Sequence, residues 1–346
     1  MIDAPSGRAG YARLTRRRAF VLAALVLAVL VALLADLTVG SSGLAPLQTV
    51  AIALRGDAAG SAVNVAIVRG IRLPATLTCA CVGAALALAG DQMQTILNNP
   101  LASPYTLGVS SAASFGACLS VVTGFPFAPL PALNAPLAAL AFATAAALLI
   151  LAASRVRGAE TRTLILLGIM VDFLFTALQA LVQYMATQNQ LAEIMHWMFG
   201  SLTKASWPGV VATAATLAVV AAVSSRLCWR LTALSLGDDR ARSLGVDAGR
   251  LRTGTFLMAS ARTAVAVSFV GAIGFVGLVA PHLARGLVGE DQRFLMPASC
   301  LCGMVLLLCA SVVSKLVVPG VIVPVGIVTD LLGVTFLGVM MARGKV

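Results

Sequence analysis

Long apolar runs separated by short polar breaks organise the chain from end to end. The runs lie near 19–39, 75–96, 103–123, 133–153, 162–185, 207–227, 254–272, 274–288, 295–316 and 324–342. A helix needs about 20 apolar residues to cross a bilayer, and most of these runs reach that length. The run 274–288 is shorter: Gly271, Gly274 and Gly277 blur its start and Pro281 interrupts it. The pattern predicts an all-α polytopic membrane protein with about ten transmembrane helices and both termini on one side.

The breaks carry different chemistry. Most hold arginine, but "LNNPLASPYTLG" at 97–108 holds two amides and two prolines and no charge. Pro100 removes a backbone donor and clashes with the preceding turn, and Pro104 repeats the insult. Carbonyls freed in this way cannot face lipid, so the stretch must line a cavity or pack inside protein. The alternative is an ordinary inner turn capped by Asn98 and Asn99. The segment 228–253, "CWRLTALSLGDDRARSLGVDAGRLRT", mixes both charge signs with apolar residues at helical spacing: Leu234, Leu236, Ala241, Leu244 and Val246. Gly237 and Gly245 would divide it into short helices. An apolar stripe on a connector suits docking in a partner's groove, or a helix lying on the lipid surface. The outer segment 40–72 has room for a short amphipathic piece.

Charge sets the orientation. With the N-terminus inside, the inner face receives Arg8, Arg13, Arg16, Arg17, Arg18, Arg155, Arg157, Arg162, Arg226, Arg230, Arg240, Arg242, Arg250, Arg252, Arg262, Arg285, Arg293, Arg343 and Lys345. The outer face keeps Arg55, Arg69, Arg72, Lys204 and Lys315. Nineteen against five satisfies the positive-inside rule. The net charge of +11 is therefore loop charge, and nothing interleaves it with aromatics as a nucleic-acid surface would. Composition agrees: 60% of the residues are hydrophobic and 11% charged, against about 45–50% and about 25% in soluble domains. The basic "MIDAPSGRAGYARLTRRR" leads into the first run with no small-residue cleavage site, which reads as an uncleaved first span.

Candidate chemistry is sparse. Cys79, Cys81, Cys118, Cys228, Cys300, Cys302 and Cys309 lie mostly inside apolar runs, where cysteine acts as a small hydrophobe. The two Cys-x-Cys pairs lack partners at metal-site spacing, so no metal site is predicted. Asp172 sits inside a span, and an acid there is a functional candidate or a protonated or paired structural group. His282 follows Pro281 and reads as a hydrogen-bonded packing residue, with a path role as the alternative; His196 reads as a surface residue. "GAALALAG" at 83–90 and "GAIGFVGLVAPH" at 271–282 echo one another, and broken apolar segments repeated in two halves point to a transport pathway. An ion-coupled secondary transporter would need a relay, but Asp172, His282 and Lys315 are scattered. An integral-membrane enzyme would need clustered His, carboxylates or a Ser/His pair, and the chain has two His.

The stretches "RLP" (72–74), "GAALALAG" (83–90), "NNPLASPYTLGVSSAASFGA" (98–117), "WMFGSL" (197–202), "LSLGDDRARSLGV" (234–246), "GAIGFVGLVAPHLARGLVGEDQR" (271–293) and "PVGIVTDLLG" (324–333) resemble the permease subunit of the bacterial ABC importers for iron–siderophore complexes, haem and vitamin B12 (type II, FecCD-like). They occur in the family's order and span nearly the whole chain. The resemblance implies one permease domain over 1–346, in a multi-pass subunit of the bacterial inner membrane. It implies pairing with a second copy or a close paralogue, two ATP-binding cassette subunits below and a periplasmic substrate-binding protein above. It places the cytoplasmic gate at Asn99, Pro100 and Leu101, and makes 228–253 a cytoplasmic coupling segment whose Leu236, Arg240, Arg242, Leu244 and Gly245 meet the ATPase. Arg72 and Lys315, with Arg69 beside them, match positions that dock the binding protein. The chain lacks a Walker A motif, so it is not itself an enzyme; ATP and Mg belong to the partner ATPase and no cofactor is expected here. Ferric siderophore is the expected cargo, with haem and cobalamin as alternatives. Ala75, Ser311, Ile322 and Thr335 depart from the family's basic, Asp, acidic and Pro residues at those positions.

Overall fold

The computed structural model describes residues 8–40, 43–126, 131–157, 161–318 and 320–342. Arg343 and Lys345, and the side chains of Arg8, Arg155 and Arg157, lie outside the described residues. The helices are α1 (Arg8–Thr38), α2 (Pro46–Arg55), α3 (Ala62–Val65), α4 (Leu73–Leu97), α5 (Val109–Thr123), α6 (Asn134–Arg157), α7 (Thr161–Met185), α8 (Gln188–Met198), α9 (Trp207–Leu234), α10 (Asp238–Ser243), α11 (Ala248–Val270), α12 (Val276–Val288), α13 (Gln292–Leu316) and α14 (Val325–Ala342). Among the described residues, eight segments are long and apolar enough to cross a membrane, and α5 and α12 are shorter apolar helices. A π-helical segment, Ala66–Arg72, joins α3 to α4, so that 62–97 forms one continuous rod.

Helix α4 is the centre. It packs against α9, α11, α12 and α13, and nearly every residue from Thr76 to Leu97 is buried. Its upper half is rich in Ala, Gly, Cys and Thr, and such small side chains let neighbouring backbones approach closely. A Cβ added at Gly83 would collide with the carbonyl of Gly303 on α13. One at Gly90 would overlap the carbonyl of Gly277 on α12. The two stretches that echo one another in sequence therefore meet, glycine to glycine. Around this centre, α5 packs on α6 and α7, α6 on α11, and α1 on α13. The outer faces carry exposed apolar side chains, including Phe20, Leu27 and Val31 on α1 and Met170, Phe173 and Leu174 on α7. Such faces suit lipid or a second protein surface.

Side-chain contacts assign the ends of the bundle. At one end Arg18 of α1 meets Asp291 at 3.3 Å, and Arg293 stacks over Trp229 of α9 with its guanidinium carbon 4.1 Å from the ring centre. At the other end Arg72 meets the last carbonyls of α1, and Trp207 donates to the carbonyl of Arg69 at 3.2 Å. Arg18 and Arg293, both predicted for the inner face, meet at the first end through Asp291, whereas Arg252 and Arg262 are buried within α11. Arg262 is not a loop residue: it is 1% exposed, in the interior of α11.

The predicted boundaries shift where local chemistry overrides hydropathy. The third run begins at Val109, not 103, because Ser103–Leu107 is spent on turns. Pro281 lies within α12 without ending it. The irregular stretch is instead 271–275, where Gly271 and Phe275 adopt positive φ of 76° and 61°. The segment 228–253 is largely helical continuation: α9 runs on to Leu234 and α11 begins at Ala248, leaving 235–247 between them.

Candidate functional site

The uncharged break is a turn that satisfies its own backbone. Helix α4 ends with Asn98 in the left-handed region at φ 45°, a conformation asparagine tolerates better than most residues. The Asn99 side chain accepts from the Leu101 N–H at 2.9 Å, and the Asn99 carbonyl accepts from Ala102 at 3.1 Å. Ser103 and Thr106 then cap each other's amides at 3.2 and 3.4 Å. Gly108, at φ 73°, lets the chain press on α7, where an added Cβ would meet the backbone nitrogen of Asp172. No formal charge is needed to turn the chain here.

The turn separates two pockets, and Asn99 lines both. One, about 160 Å³, is polar: Gln94, Asn98, Arg285, Glu290 and Gln292 contribute. The other, about 140 Å³, is apolar, with Leu97, Leu101, Ile165 and Ile169. Pro100 lines the first and is exposed; Leu101 is 44% exposed. An amide at the boundary of a wet and a greasy pocket can be rotated toward either without stripping water from an ion.

Beneath the turn lies a polar network that the sequence reading did not assemble. Gln92 accepts from Arg262 at 2.6 Å and donates to Ser224 of α9 at 2.6 Å. Gln94 accepts from Arg285 of α12 at 3.0 Å, and Gln292 of α13 donates to Thr95 at 2.8 Å. Asp91 is wholly buried, 4.0 Å from Arg285 and 3.5 Å from the Gln292 amide. One turn and a half of α4 thus bonds four neighbouring helices. The signal was present as "GDQMQ" at 90–94, an acid and two amides in an apolar run.

Helix α10 stands beside this end. Gly245, at φ 78°, closes it: the Gly245 N–H reaches the carbonyl of Arg242 at 2.9 Å and the Val246 N–H that of Ala241 at 3.0 Å. That is the paired bonding of a glycine C-terminal cap. The predicted stripe divides in two. Leu234, Ala241 and Val246 pack into the core, whereas Leu236 and Leu244 are 51% and 65% exposed beside exposed Arg240 and Arg242. The outward set is two leucines among arginines and aspartates.

At the opposite end the three candidate docking cations hold helix ends together. Arg69 is exposed and donates to the carbonyls of Ala53 and Leu54, the last turn of α2. Half-buried Arg72 donates to Leu37 and Thr38 at 3.2 and 3.0 Å. Lys315 meets the buried carboxylate of Asp36 at 2.7 Å, and Thr76 donates to the other oxygen of that carboxylate. Arg72 and Lys315 line a cavity of about 310 Å³ that also takes in Ala75, Ser311 and Ile322. Three of the four departures therefore share one wall, while Thr335 bonds its own helix at Leu331. Asp172 is half-buried on α7, and His282 packs edge-on to Phe336 with ring centres 5.9 Å apart. Asp172, His282 and Lys315 sit on three different helices and are not brought together.

Comparison with known proteins follows the same lines. The pattern of the FecCD transport family matches residues 26–343. The Fe(3+)-citrate import permease YfmE of Bacillus subtilis is 35% identical over 78% of this chain and 80% of its own. The molybdate import permease MolB of Haemophilus influenzae is 34% identical over 80% of each. A solved structure, described as a metal-chelate type ABC transporter in an inward-facing conformation, superposes with a TM-score of 0.81 at 29% identity, covering 94% of this chain and 99% of that one.

Proposed function

The chain belongs to the FecCD transport family of ABC transporter permeases, and from that premise we propose that it forms the membrane path of an ATP-driven importer for a ferric chelate. Two copies, or one copy and a close paralogue, enclose the path. ATP-binding cassette subunits carry ATP and Mg and dock under α10, at the arginine-rich cytoplasmic end. A periplasmic substrate-binding protein docks at the other end, where Arg69 offers the most exposed of the three cations. The membrane is the bacterial inner membrane.

The observation that carries this reading is the position of the 98–101 turn. It is charge-free, bordered by a polar and an apolar pocket, and the end of α4 that leads into it is tied through Arg252 to the first residue of α10. Asn99, Pro100 and Leu101 act as the cytoplasmic gate, a constriction of small uncharged groups that a bulky chelate can pass. Ferric siderophore is the preferred cargo; haem, cobalamin and, given the named relative, molybdate are the competitors. The test is uptake into vesicles holding the chain with its ATPase and binding protein. ATP-dependent entry of a ferric siderophore, exceeding that of haem, cobalamin and molybdate, is the expected result. Preference for another of the four reassigns the cargo, and uptake driven by a proton or sodium gradient without ATP overturns the importer reading.

A further inference from the structure

One buried side chain touches both the gate turn's support and the segment assigned to the ATPase. Arg252 lies in the second turn of α11 and is 4% exposed. Its Nε donates to the carbonyl of Ile96 at 2.8 Å, and its Nη2 donates to Asp238 Oδ1 at 2.7 Å. Ile96 is the penultimate residue of α4, two positions before Asn98; Asp238 is the first residue of α10.

The local chemistry explains why this carbonyl is available. The last carbonyls of a helix have no donor from their own helix. At the end of α4 those of Gln94 and Thr95 are taken by the N–H groups of Asn99 and Asn98, at 3.1 and 3.3 Å. The Ile96 carbonyl is met by Arg252. On the other side, α10 runs between two glycines of positive φ, Gly237 at 99° and Gly245 at 78°, which are natural pivots. Only Ala241 of α10 is fully buried. The Asp238 bond is therefore a principal fixed point at the start of α10.

We infer that Arg252 is a positioning residue that transmits displacement of α10 to the gate turn at 98–101. The guanidinium is a rigid fork, so the bonds to Ile96 and Asp238 cannot move independently. A push on Asp238 turns the plane that also holds Ile96. Lysine keeps the charge but offers a single compact ammonium on a flexible stem, and cannot hold both acceptors in fixed relation. The inference rests on the function proposed above, in which α10 meets the ATPase and Asn99 lines the path.

The experiment needs no cargo. Asn99→Cys is introduced, the chain is assembled with its ATP-binding cassette subunits in lipid vesicles, and modification by a hydrophilic maleimide is timed with and without ATP and vanadate. The native cysteines lie within α4, α5, α9 and α13, and the chain without the added cysteine supplies the background. ATP should change the rate at position 99 by about tenfold, within the usual range for coupled sites. With Arg252→Lys the change should fall below about twofold while the ATPase still co-purifies. Asp238→Ala removes the partly exposed partner and leaves the Arg252 bond to Ile96 in place, and should give the same loss should Arg252→Lys fail to fold. A purely structural Arg252 would lower stability and leave the ATP-dependent ratio intact. That intact ratio in either folded variant overturns the relay alone. A chain with native Arg252 and no ATP response at position 99 overturns the gate-and-motor reading, and the relay with it.

Discussion

Lys315 shows what a single charge does in this bundle. Its ammonium is tied to the carboxylate and the carbonyl of wholly buried Asp36, 2.7 and 2.8 Å away. Removing one partner of a buried pair leaves the other unpaired, at a cost of about 3–5 kcal/mol. Lys315→Met should therefore lower the thermal stability of the purified protein strongly, and adding Asp36→Asn should recover much of the loss. Equal loss in the single and double variants would show that the pair contributes nothing. Any docking test that reverses Lys315 measures this damage first; Arg69→Glu is the cleaner probe. Asp291 behaves differently. It lies outside the spans, caps the start of α13, and is held below the usual carboxylate range, first by its bond to Arg293 and further by Arg18. A depressed folded pKa contributes stability above the unfolded value of about 3.9, and that stability disappears as pH falls through the folded value. Asp291→Asn should unfold earlier than the native chain at about pH 7, and the difference should close below about pH 4. A gap that persists in acid would assign the effect to the cap and not the charge. Neither partnership could be read from sequence: Asp36 and Lys315 are 279 positions apart, as are Arg18 and Asp291 by 273. Helical periodicity says which face a residue occupies, not which helix arrives there.

At the scale of elements, punctuation was legible and partnership was not. Proline, glycine and asparagine marked the end of α4, both ends of α10 and the broken start of α12, because each fixes a backbone state that few residues tolerate. Hydropathy placed all ten apolar runs on helices, yet overran at 103–107, where turn-forming Ser, Pro and Thr are locally apolar enough to blend in. The stripe on 234–246 misled for a different reason. A short helix has one face toward its own bundle, so half of its apolar residues belong to the core. The outward half, Leu236 and Leu244 with Arg240 and Arg242, is what a partner can touch. Leu244→Asp with Arg242→Asp should leave the chain folded, since both side chains are exposed, while separating ATP hydrolysis from uptake. Uptake at the native rate would remove α10 from the ATPase contact.

The whole molecule is arranged as a rod, α4, with helices locked to it by glycine crossings above and hydrogen bonds below. If two such subunits enclose a path as proposed, the turns at the foot of each α4 face one another. Asn99→Cys and Leu101→Cys should then cross-link between copies in the inward-closed state, and ATP should change the yield. Absence of a cross-link in every nucleotide state would mean the turn is only a connection. Arg262 also limits the order in which a ribosome and a translocon can build the rod's surroundings. Helix α11 has the lowest hydropathy of the eight long segments, 1.2, and carries an arginine in its interior. A translocon charges about 2.5–3.5 kcal/mol for that side chain mid-helix. Gln92 belongs to a segment made 170 residues earlier, so its carbonyl is already in the bilayer when Arg262 emerges. The nascent α11 should insert poorly when placed alone in a host protein, and well when 62–97 precedes it or when Arg262→Leu removes the charge. On that outcome the buried arginine would make the fourth helix a prerequisite for the eleventh, and so give the chain a direction of assembly.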